Sequence, residues 1–189
     1  MFQKSLLALS IIISLTFLGC SSNSQEDEDN MVATNIFQLT ATDGTEYNVS
    51  KSIGSNGATF TVVGQEDKLV MFDIFATWCP PCRAEAPHLS HLQKLYNKEF
   101  LIIGITIEDG ISNQDLNAFK KKYGAEYAIV NSPDNARLYT AIASATKVGQ
   151  RFPIPLMVMY NKGEYFKHYV GQTPEEMIES DIKKALGKH

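Results

Sequence analysis

The chain has 189 residues, of which 44% are hydrophobic and 20% are charged. This length and composition predict one folded domain with a tail, and they exclude a wholly disordered or collagen-like chain. The formal net charge is −4, with 17 Lys and Arg against 21 Asp and Glu, so a general basic surface for nucleic acid is excluded as well. We therefore expect no nucleic-acid partner.

The N-terminus has the pattern of a targeting segment. Lys4 precedes an apolar run from Leu6 to Leu18, which is shorter than the ~20 residues of a membrane-spanning helix. These proportions predict a signal peptide over residues 1–19. The stretch Phe17-Leu18-Gly19-Cys20 resembles the lipobox of bacterial lipoproteins, in which the cysteine carries a lipid. The resemblance implies lipidation of Cys20, and an ordinary cleaved signal or an uncleaved anchor is the alternative.

The segment after Cys20 is strongly polar. Residues 21–30 contain no apolar side chain, and Glu26 to Asp29 form an acidic run. Such a segment cannot bury enough apolar surface to offset the entropy of ordering it. We therefore expect a flexible acidic tether over residues 20–34, followed by one folded domain over residues 35–189.

Predicted strands alternate with predicted helices through the rest of the chain. Asp43-Gly44 predicts a hairpin turn between strands at Ile36–Thr40 and Glu46–Val49. Nearly continuous apolar runs predict buried strands at Lys68–Phe75 and Leu101–Ile107. The other predicted elements are, in chain order, a helix from Cys79 to about Lys98, a helix at Asn113–Tyr123, a strand at Tyr127–Val130, a helix opening at Ser132, strands at Leu156–Tyr160 and Tyr165–Val170, and a helix from Thr173 to about Leu186. This order predicts an α/β fold with a mixed central sheet, helices on both faces and an added N-terminal β-hairpin.

Two cysteines separated by two prolines stand where the apolar strand gives way to the first predicted helix, in Trp78-Cys79-Pro80-Pro81-Cys82. A helix N-terminus stabilises an anion, which lowers the pKa of the Cys79 thiol below about 8.5. Cys82 lies one helical turn further on, where it can attack a mixed disulfide on Cys79. Pro80 and Pro81 lack N–H groups in the first helical turn, which needs none. The pattern predicts thiol–disulfide chemistry.

A metal site is the alternative explanation for a cysteine pair with this spacing. Structural zinc needs four ligands, and a second CxxC pair is missing from the sequence. His88 and His91 lie two turns beyond Cys82, too far along the helix to complete a site at its start. We therefore expect neither a metal nor another cofactor.

The stretch from Phe75 to Pro87 resembles the active-site signature of TlpA/ResA-like proteins, an envelope branch of the thioredoxin and redoxin superfamily. Ile154-Pro155, with the Asn161–Glu164 turn that follows, resembles the thioredoxin segment after its cis-proline, and the similarity covers residues 35–187. The resemblance implies the thioredoxin fold and a membrane-tethered thiol–disulfide oxidoreductase of the bacterial envelope. It also implies a reductant, for instance of apocytochrome c cysteines. The partners would be disulfide-bearing envelope proteins and an upstream membrane electron donor.

The resemblance further implies a substrate-binding surface around the cysteine pair. Pro155 corresponds to the cis-proline that faces the two cysteines, and the backbone of Ile154 would pair with an incoming peptide as a short strand. Trp78 would form an apolar wall beside Cys79, and Pro80 and Pro81 would complete the contact surface.

The resemblance also implies roles for two acidic residues. Asp73, six residues before Cys79, corresponds to the buried acid of thioredoxins, and its pKa should be raised so that it can take the proton of Cys82. The alternative is an acid at a strand edge that reaches solvent. Glu85 corresponds to a family glutamate near the active site, and the alternative is simple compensation of the helix dipole.

Two other functions are possible for this fold. A peroxiredoxin-type thiol peroxidase places a hydroxyl residue three positions before its reactive cysteine, but here that position is Ala76 and Thr77 comes one position later. A Cu(I)-binding chaperone would use the same soft thiolates, although the copper-binding relatives commonly have three residues between the cysteines and a distal histidine. Both patterns fit this sequence less well than the oxidoreductase does.

Overall fold

The computed structural model describes residues 35–149 and 151–188. The predicted signal peptide over residues 1–19, the predicted lipidation site Cys20 and the predicted tether over residues 20–34 lie outside the described residues. Within the described part of the chain, no helix is both long enough and apolar enough to cross a lipid bilayer.

The described residues form strands and helices in largely the predicted order. The strands are β1 (Ile36–Thr40), β2 (Glu46–Gly54), β3 (Gly57–Val62), β4 (Leu69–Phe75), β5 (Phe100–Thr106), β6 (Ala128–Val130), β7 (Leu156–Asn161) and β8 (Glu164–Val170). The helices are α1 (Pro80–Leu95), α2 (Asn113–Tyr123), α3 (Asn135–Ala145) and α4 (Glu175–Ala185). Strands β4 to β8 form one five-stranded sheet in the order β6-β5-β4-β7-β8. β4 runs parallel to β5 and antiparallel to β7, which confirms the predicted mixed sheet.

The central strand β4 separates two halves of the hydrophobic core. All seven of its residues are buried, as its apolar sequence predicts. Side chains alternate between the two faces of a strand, so Leu69, Met71 and Phe75 pack with α1, α2 and α4, whereas Phe72 and Ile74 pack with α3 and β1 to β3. Helices therefore cover both faces of the sheet, as predicted.

The N-terminal hairpin is confirmed, but it is part of a larger antiparallel sheet in the order β1-β2-β3. β2 continues to Gly54, and β3 returns through a turn at Ser55 and Asn56, an extension that the sequence analysis did not predict. β3 is held by tertiary contact, because Phe60 is fully buried and its ring centroid lies 5.1 Å from that of Tyr160 on β7. The backbone N–H of Phe60 also donates to the carbonyl of Gly163.

The start of α3 differs from the prediction. The helix begins at Asn135 and not at Ser132, because the polar side chains before it bond the edge strand β1. The Ser132 hydroxyl accepts a hydrogen bond from the Thr40 N–H at 2.6 Å, and the Asp134 carboxylate accepts one from the Gln38 N–H at 2.7 Å. These side chains are therefore not free to cap the helix.

Candidate active site

The cysteine pair lies at the junction between β4 and α1, as predicted. Cys79 is the N-cap residue of α1, and Pro80 and Pro81 occupy the first two helical positions. The Cys79 sulfur accepts a hydrogen bond from the Cys82 N–H at 3.3 Å, so an otherwise unpaired backbone donor points at this sulfur. A negative charge on Cys79 would be stabilised by that donor and by the dipole of α1.

The two cysteines form a disulfide in this structure, with their Cα atoms 5.3 Å apart. Both are nearly buried, with 2% of Cys79 and 3% of Cys82 exposed, so burial does not distinguish them. Their positions in α1 distinguish the two cysteines, because Cys79 caps the helix and Cys82 belongs to its first turn. Position at the helix terminus therefore supports Cys79 as the attacking thiol.

The segment before β7 faces the cysteine pair. The Ile154–Pro155 peptide bond is cis, as predicted. The carbonyl oxygen of Ile154 lies 3.7 Å from the Cys79 sulfur, although the two residues are 75 positions apart in the chain. Trp78, next to Cys79, leaves 58% of its surface exposed. The exposed indole and the half-buried Ile154 beside the sulfur form a surface that a polypeptide can contact.

The loop before Cys79 is held by residues that the sequence analysis missed. The Glu108 carboxylate accepts hydrogen bonds from the Thr77 N–H at 2.6 Å and the Thr77 hydroxyl at 2.9 Å. The Arg83 Nε donates to the Thr77 carbonyl at 2.6 Å. The Thr77 hydroxyl is therefore engaged with Glu108, which argues against its use as the peroxide-binding hydroxyl of a peroxidase. Nothing in the sequence near Glu108 signals this role.

Asp73 is buried beneath the site, with 3% of its surface exposed, so the alternative of a solvent-reaching acid is wrong. Its Oδ2 accepts a hydrogen bond from the Tyr127 hydroxyl at 2.9 Å, and its Oδ1 has no partner among the described residues. Burial raises the pKa of Asp73 to about 7, the Tyr127 hydrogen bond opposes this rise, and nearby Glu85 adds to it. A carboxyl group with this pKa can accept a proton at neutral pH.

Asp73 and the cysteine pair share one layer of the core. Odd-numbered residues of β4 point to the face that α1 covers, and Phe75 on that face clusters with Cys82 and Tyr127. Asp73 therefore points into the layer that holds Cys82.

Glu85 is also buried, with 1% of its surface exposed. It lies in the second turn of α1, whereas the dipole of a helix acts mainly within its first turn, so dipole compensation does not explain it. Its Oε2 accepts a hydrogen bond from the Thr173 N–H at 3.2 Å, and its Oε1 has no partner among the described residues. Burial raises the pKa of Glu85 and the Thr173 hydrogen bond opposes that rise. Glu85 thus joins α1 to the loop before α4.

The predicted site residues that the structure brings together are Asp73, Cys79, Cys82, Glu85 and the Ile154–Pro155 segment, with Trp78, Pro80 and Pro81 at the surface. Cys20 lies outside the described residues. Among residues 35–149 and 151–188, no group of three or more His, Cys, Asp and Glu side chains is arranged to hold a metal ion. The Cys79–Cys82 pair can cycle between a disulfide and two thiols, and the buried acids Asp73 and Glu85 lie in the same region of the structure.

Comparison with known proteins agrees with this chemistry. The model of the family described as Redoxin matches residues 32–186. The thiol-disulfide oxidoreductase ResA of Bacillus subtilis (strain 168) is 26% identical over 125 residues, covering 66% of this chain and 65% of the relative. ResA of Geobacillus thermodenitrificans (strain NG80-2) is 25% identical over 145 residues, covering 71% of this chain and 76% of the relative.

Solved structures show the same fold. A thiol:disulfide interchange protein of the thioredoxin family from Chlorobium tepidum TLS superimposes with a TM-score of 0.61, at 22% identity, covering 81% of this chain and 94% of that chain. A protein from Chlorobium tepidum described as a putative thiol:disulfide interchange protein DsbE gives a TM-score of 0.56, at 23% identity, over 80% and 94% of the two chains. The predicted thioredoxin fold is thereby confirmed.

Proposed function

The chain belongs to the redoxin family, and we propose that it is a thiol–disulfide oxidoreductase that reduces disulfides in proteins of the bacterial envelope. The observation that carries this proposal is the Cys79–Cys82 disulfide at the N-terminus of α1, with the Ile154 carbonyl 3.7 Å from the Cys79 sulfur. The similarity to the ResA proteins supports the same activity.

The proposed reaction has two thiol–disulfide exchange steps. The Cys79 thiolate attacks one sulfur of a partner disulfide, forms a mixed disulfide and releases the second partner sulfur as a thiolate. Cys82 then loses its proton to Asp73 and attacks the Cys79 sulfur, which releases the first partner sulfur. The partner gains two electrons, and Cys79 and Cys82 become the disulfide seen here. A reductant must then restore the two thiols, and we assign this role to an electron donor in the membrane.

The surface beside the sulfur supports a polypeptide as substrate. Ile154 is only partly buried, which supports an extended segment of a partner lying along it as an added strand. The exposed indole of Trp78 and the rings of Pro80 and Pro81 offer apolar contact beside it. These contacts do not select a particular sequence, which fits an enzyme that recognises a disulfide and its backbone.

The proposal is tested by mixing the reduced protein with a synthetic disulfide-bonded peptide in the absence of other thiols. We expect each protein molecule to reduce one peptide disulfide as its own Cys79–Cys82 disulfide forms, and Cys79→Ser to abolish this exchange. A reductant should also have a reduction potential nearer to about −270 mV, the value of thioredoxin, than to about −120 mV, the value of DsbA. Absence of exchange, or exchange that survives in Cys79→Ser, would overturn the proposal.

We also propose that the protein is held at a membrane by a lipid on Cys20. The support is the sequence itself, since a short apolar segment ends at Gly19-Cys20 and a polar stretch follows before the domain begins. A tether of this composition lets the domain reach partners at some distance from the bilayer.

The lipid is detected by growing bacteria that express the full chain with an alkyne-labelled fatty acid. We expect the wild-type protein to take up the label and Cys20→Ala to take up none, because the acceptor sulfur is gone. Cys79→Ser is the matched control and should be labelled like the wild type. Equal labelling of Cys20→Ala, or no labelling of the wild type, would show that Cys20 is not lipidated.

A further inference from the structure

The hydrogen bond to Asp73 comes from an unexpected part of the sheet. Tyr127 directly precedes β6, the edge strand, whereas Asp73 lies on the central strand β4. Strand β5 lies between them, so the phenol ring must cross β5 to bring its hydroxyl within 2.9 Å of the carboxylate. This contact joins residues 54 positions apart in the chain.

The crossing is possible because β5 has a glycine at that point. Gly104 pairs with Asp73 on one side and with Ile129 on the other. A Cβ atom at Gly104 would lie 3.0 Å from the Tyr127 ring, 3.2 Å from Ile129 and 3.3 Å from the Phe75 ring. Contacts at this distance would force the surrounding side chains to move, so the missing side chain provides the space that the Tyr127 ring occupies.

The backbone of Tyr127 is anchored as well. The Lys120 ammonium group of α2 donates a hydrogen bond to the Tyr127 carbonyl at 2.6 Å. The ring itself is buried, with 2% of the residue exposed. Packing therefore holds the phenol ring, and Lys120 holds the backbone of Tyr127, so the position of the hydroxyl is fixed.

We propose that Tyr127 is a positioning residue for Asp73, holding Oδ2 so that Oδ1 is the oxygen that accepts the proton of Cys82. This inference rests on the proposed oxidoreductase function. Two observations carry it: Tyr127 is the hydrogen-bond partner of Oδ2, and Oδ1 is buried with no partner in the described part of the chain. The hydrogen bond to Oδ2 restricts rotation of the Asp73 carboxyl group, so Oδ1 is kept in one orientation.

The groups that face Asp73 define what loss of the hydroxyl should do. Glu85 of α1 lies near it, the cysteine pair lies in the same layer of the core, and Tyr127 reaches it across β5. Its neighbours in the adjoining strands, Gly104 and Met157, carry no charge. The Tyr127 hydrogen bond lowers the pKa of Asp73, while burial and the Glu85 carboxyl raise it. Removal of the hydroxyl should therefore raise this pKa further.

The experiment is a titration of the Asp73 carboxyl carbon by NMR in the oxidised full-length protein, with the signal assigned from its loss in Asp73→Asn. We expect Tyr127→Phe to raise the midpoint by about one pH unit, the size expected when a carboxylate loses one hydrogen bond. Tyr169→Phe is the matched control, because its buried hydroxyl also donates to a carboxylate, that of Asp181, at 2.9 Å. It should leave the Asp73 midpoint unchanged.

A second measurement separates a positioning role from a purely structural one. The rate at which Cys82 resolves a mixed disulfide with the synthetic peptide should show the same upward shift of its pH profile in Tyr127→Phe, and no shift in Tyr169→Phe. An unmoved Asp73 midpoint in Tyr127→Phe, or an equal shift in both variants, would overturn the inference. If the wild type exchanges normally but the pH profile of resolution is the same in Tyr127→Phe as in the wild type, the positioning role alone is overturned. A wild type without exchange would overturn the proposed function.

Discussion

Replacing Cys82 with alanine is expected to arrest the protein as a mixed disulfide between Cys79 and its partner. The Cys79 sulfur can still attack, because its donor is the backbone N–H of residue 82, which alanine retains. The resolving thiol is missing, so the partner cannot be released by the second exchange step. With no other thiol present, the wild type should reduce one peptide disulfide per protein molecule, whereas in Cys82→Ala the covalent complex should accumulate to one peptide per protein.

The measurement is mass spectrometry of the complex under non-reducing conditions, and applied to the native host it also identifies the partners. Cys79→Ser is the matched control and should trap no partner, because Cys82 belongs to the first turn of α1 and is not its cap. Equal trapping on Cys82 in Cys79→Ser would reverse the assigned roles. Failure of both variants to trap a disulfide peptide would contradict the mechanism.

Asp73→Asn is expected to raise the stability of the oxidised protein while slowing resolution of the mixed disulfide. The folded-state pKa of Asp73 is about 7 against an ordinary value of 3.8, so the folded protein holds this proton more tightly than the unfolded chain does. Wild-type stability should therefore decrease as the pH rises from about 4 to about 7 and stay level above that. Asparagine does not ionise, and its amide oxygen can still accept from the Tyr127 hydroxyl.

The gain in unfolding free energy of Asp73→Asn over the wild type should thus grow from near zero at acidic pH to about 4 kcal/mol above neutral pH, the free energy that corresponds to a pKa raised from 3.8 to about 7. Denaturant unfolding at several pH values measures it. Asp181→Asn is the matched control, and its expected change in unfolding free energy has the opposite sign. Asp181 is buried, but the hydrogen bonds from Lys167, Tyr169 and Lys184 outweigh the effect of burial and lower its pKa. Its charge therefore stabilises the folded state at neutral pH, and this variant should lose stability there.

The kinetic effect of Asp73→Asn should appear in the second step. First attack by Cys79 should proceed as in the wild type, and resolution by Cys82 should slow by about 10–100-fold, a modest share of general-base catalysis. Rapid-quench measurement of the mixed disulfide separates the two steps. A loss of stability with unchanged resolution would show that Asp73 serves as a structural hydrogen-bonding residue.

The features that follow from neighbouring residues were predictable from the sequence. The buried strand β4 follows from a run that is apolar except for Asp73, and the start of α1 follows from a cysteine cap and two prolines at positions where no N–H donor is needed. The mixed sheet with helices on both faces follows from the order of the elements. The cis bond before Pro155 was predicted from a resemblance to thioredoxins, since an X–Pro bond alone is cis in only about 5–6% of cases.

The features that depend on distant residues were not predictable from the sequence. Strand β3 is held by the contact of Phe60 with Tyr160, and Ser132 fails to cap α3 because it bonds β1. Helix caps, prolines and apolar runs act over a few residues, so the sequence was enough to predict a cysteine pair at the start of α1 and the strand that precedes it. The tertiary structure alone decided the environment of Asp73 and Glu85, because their partners Tyr127 and Thr173 lie 54 and 88 positions away and meet them only when the core has packed.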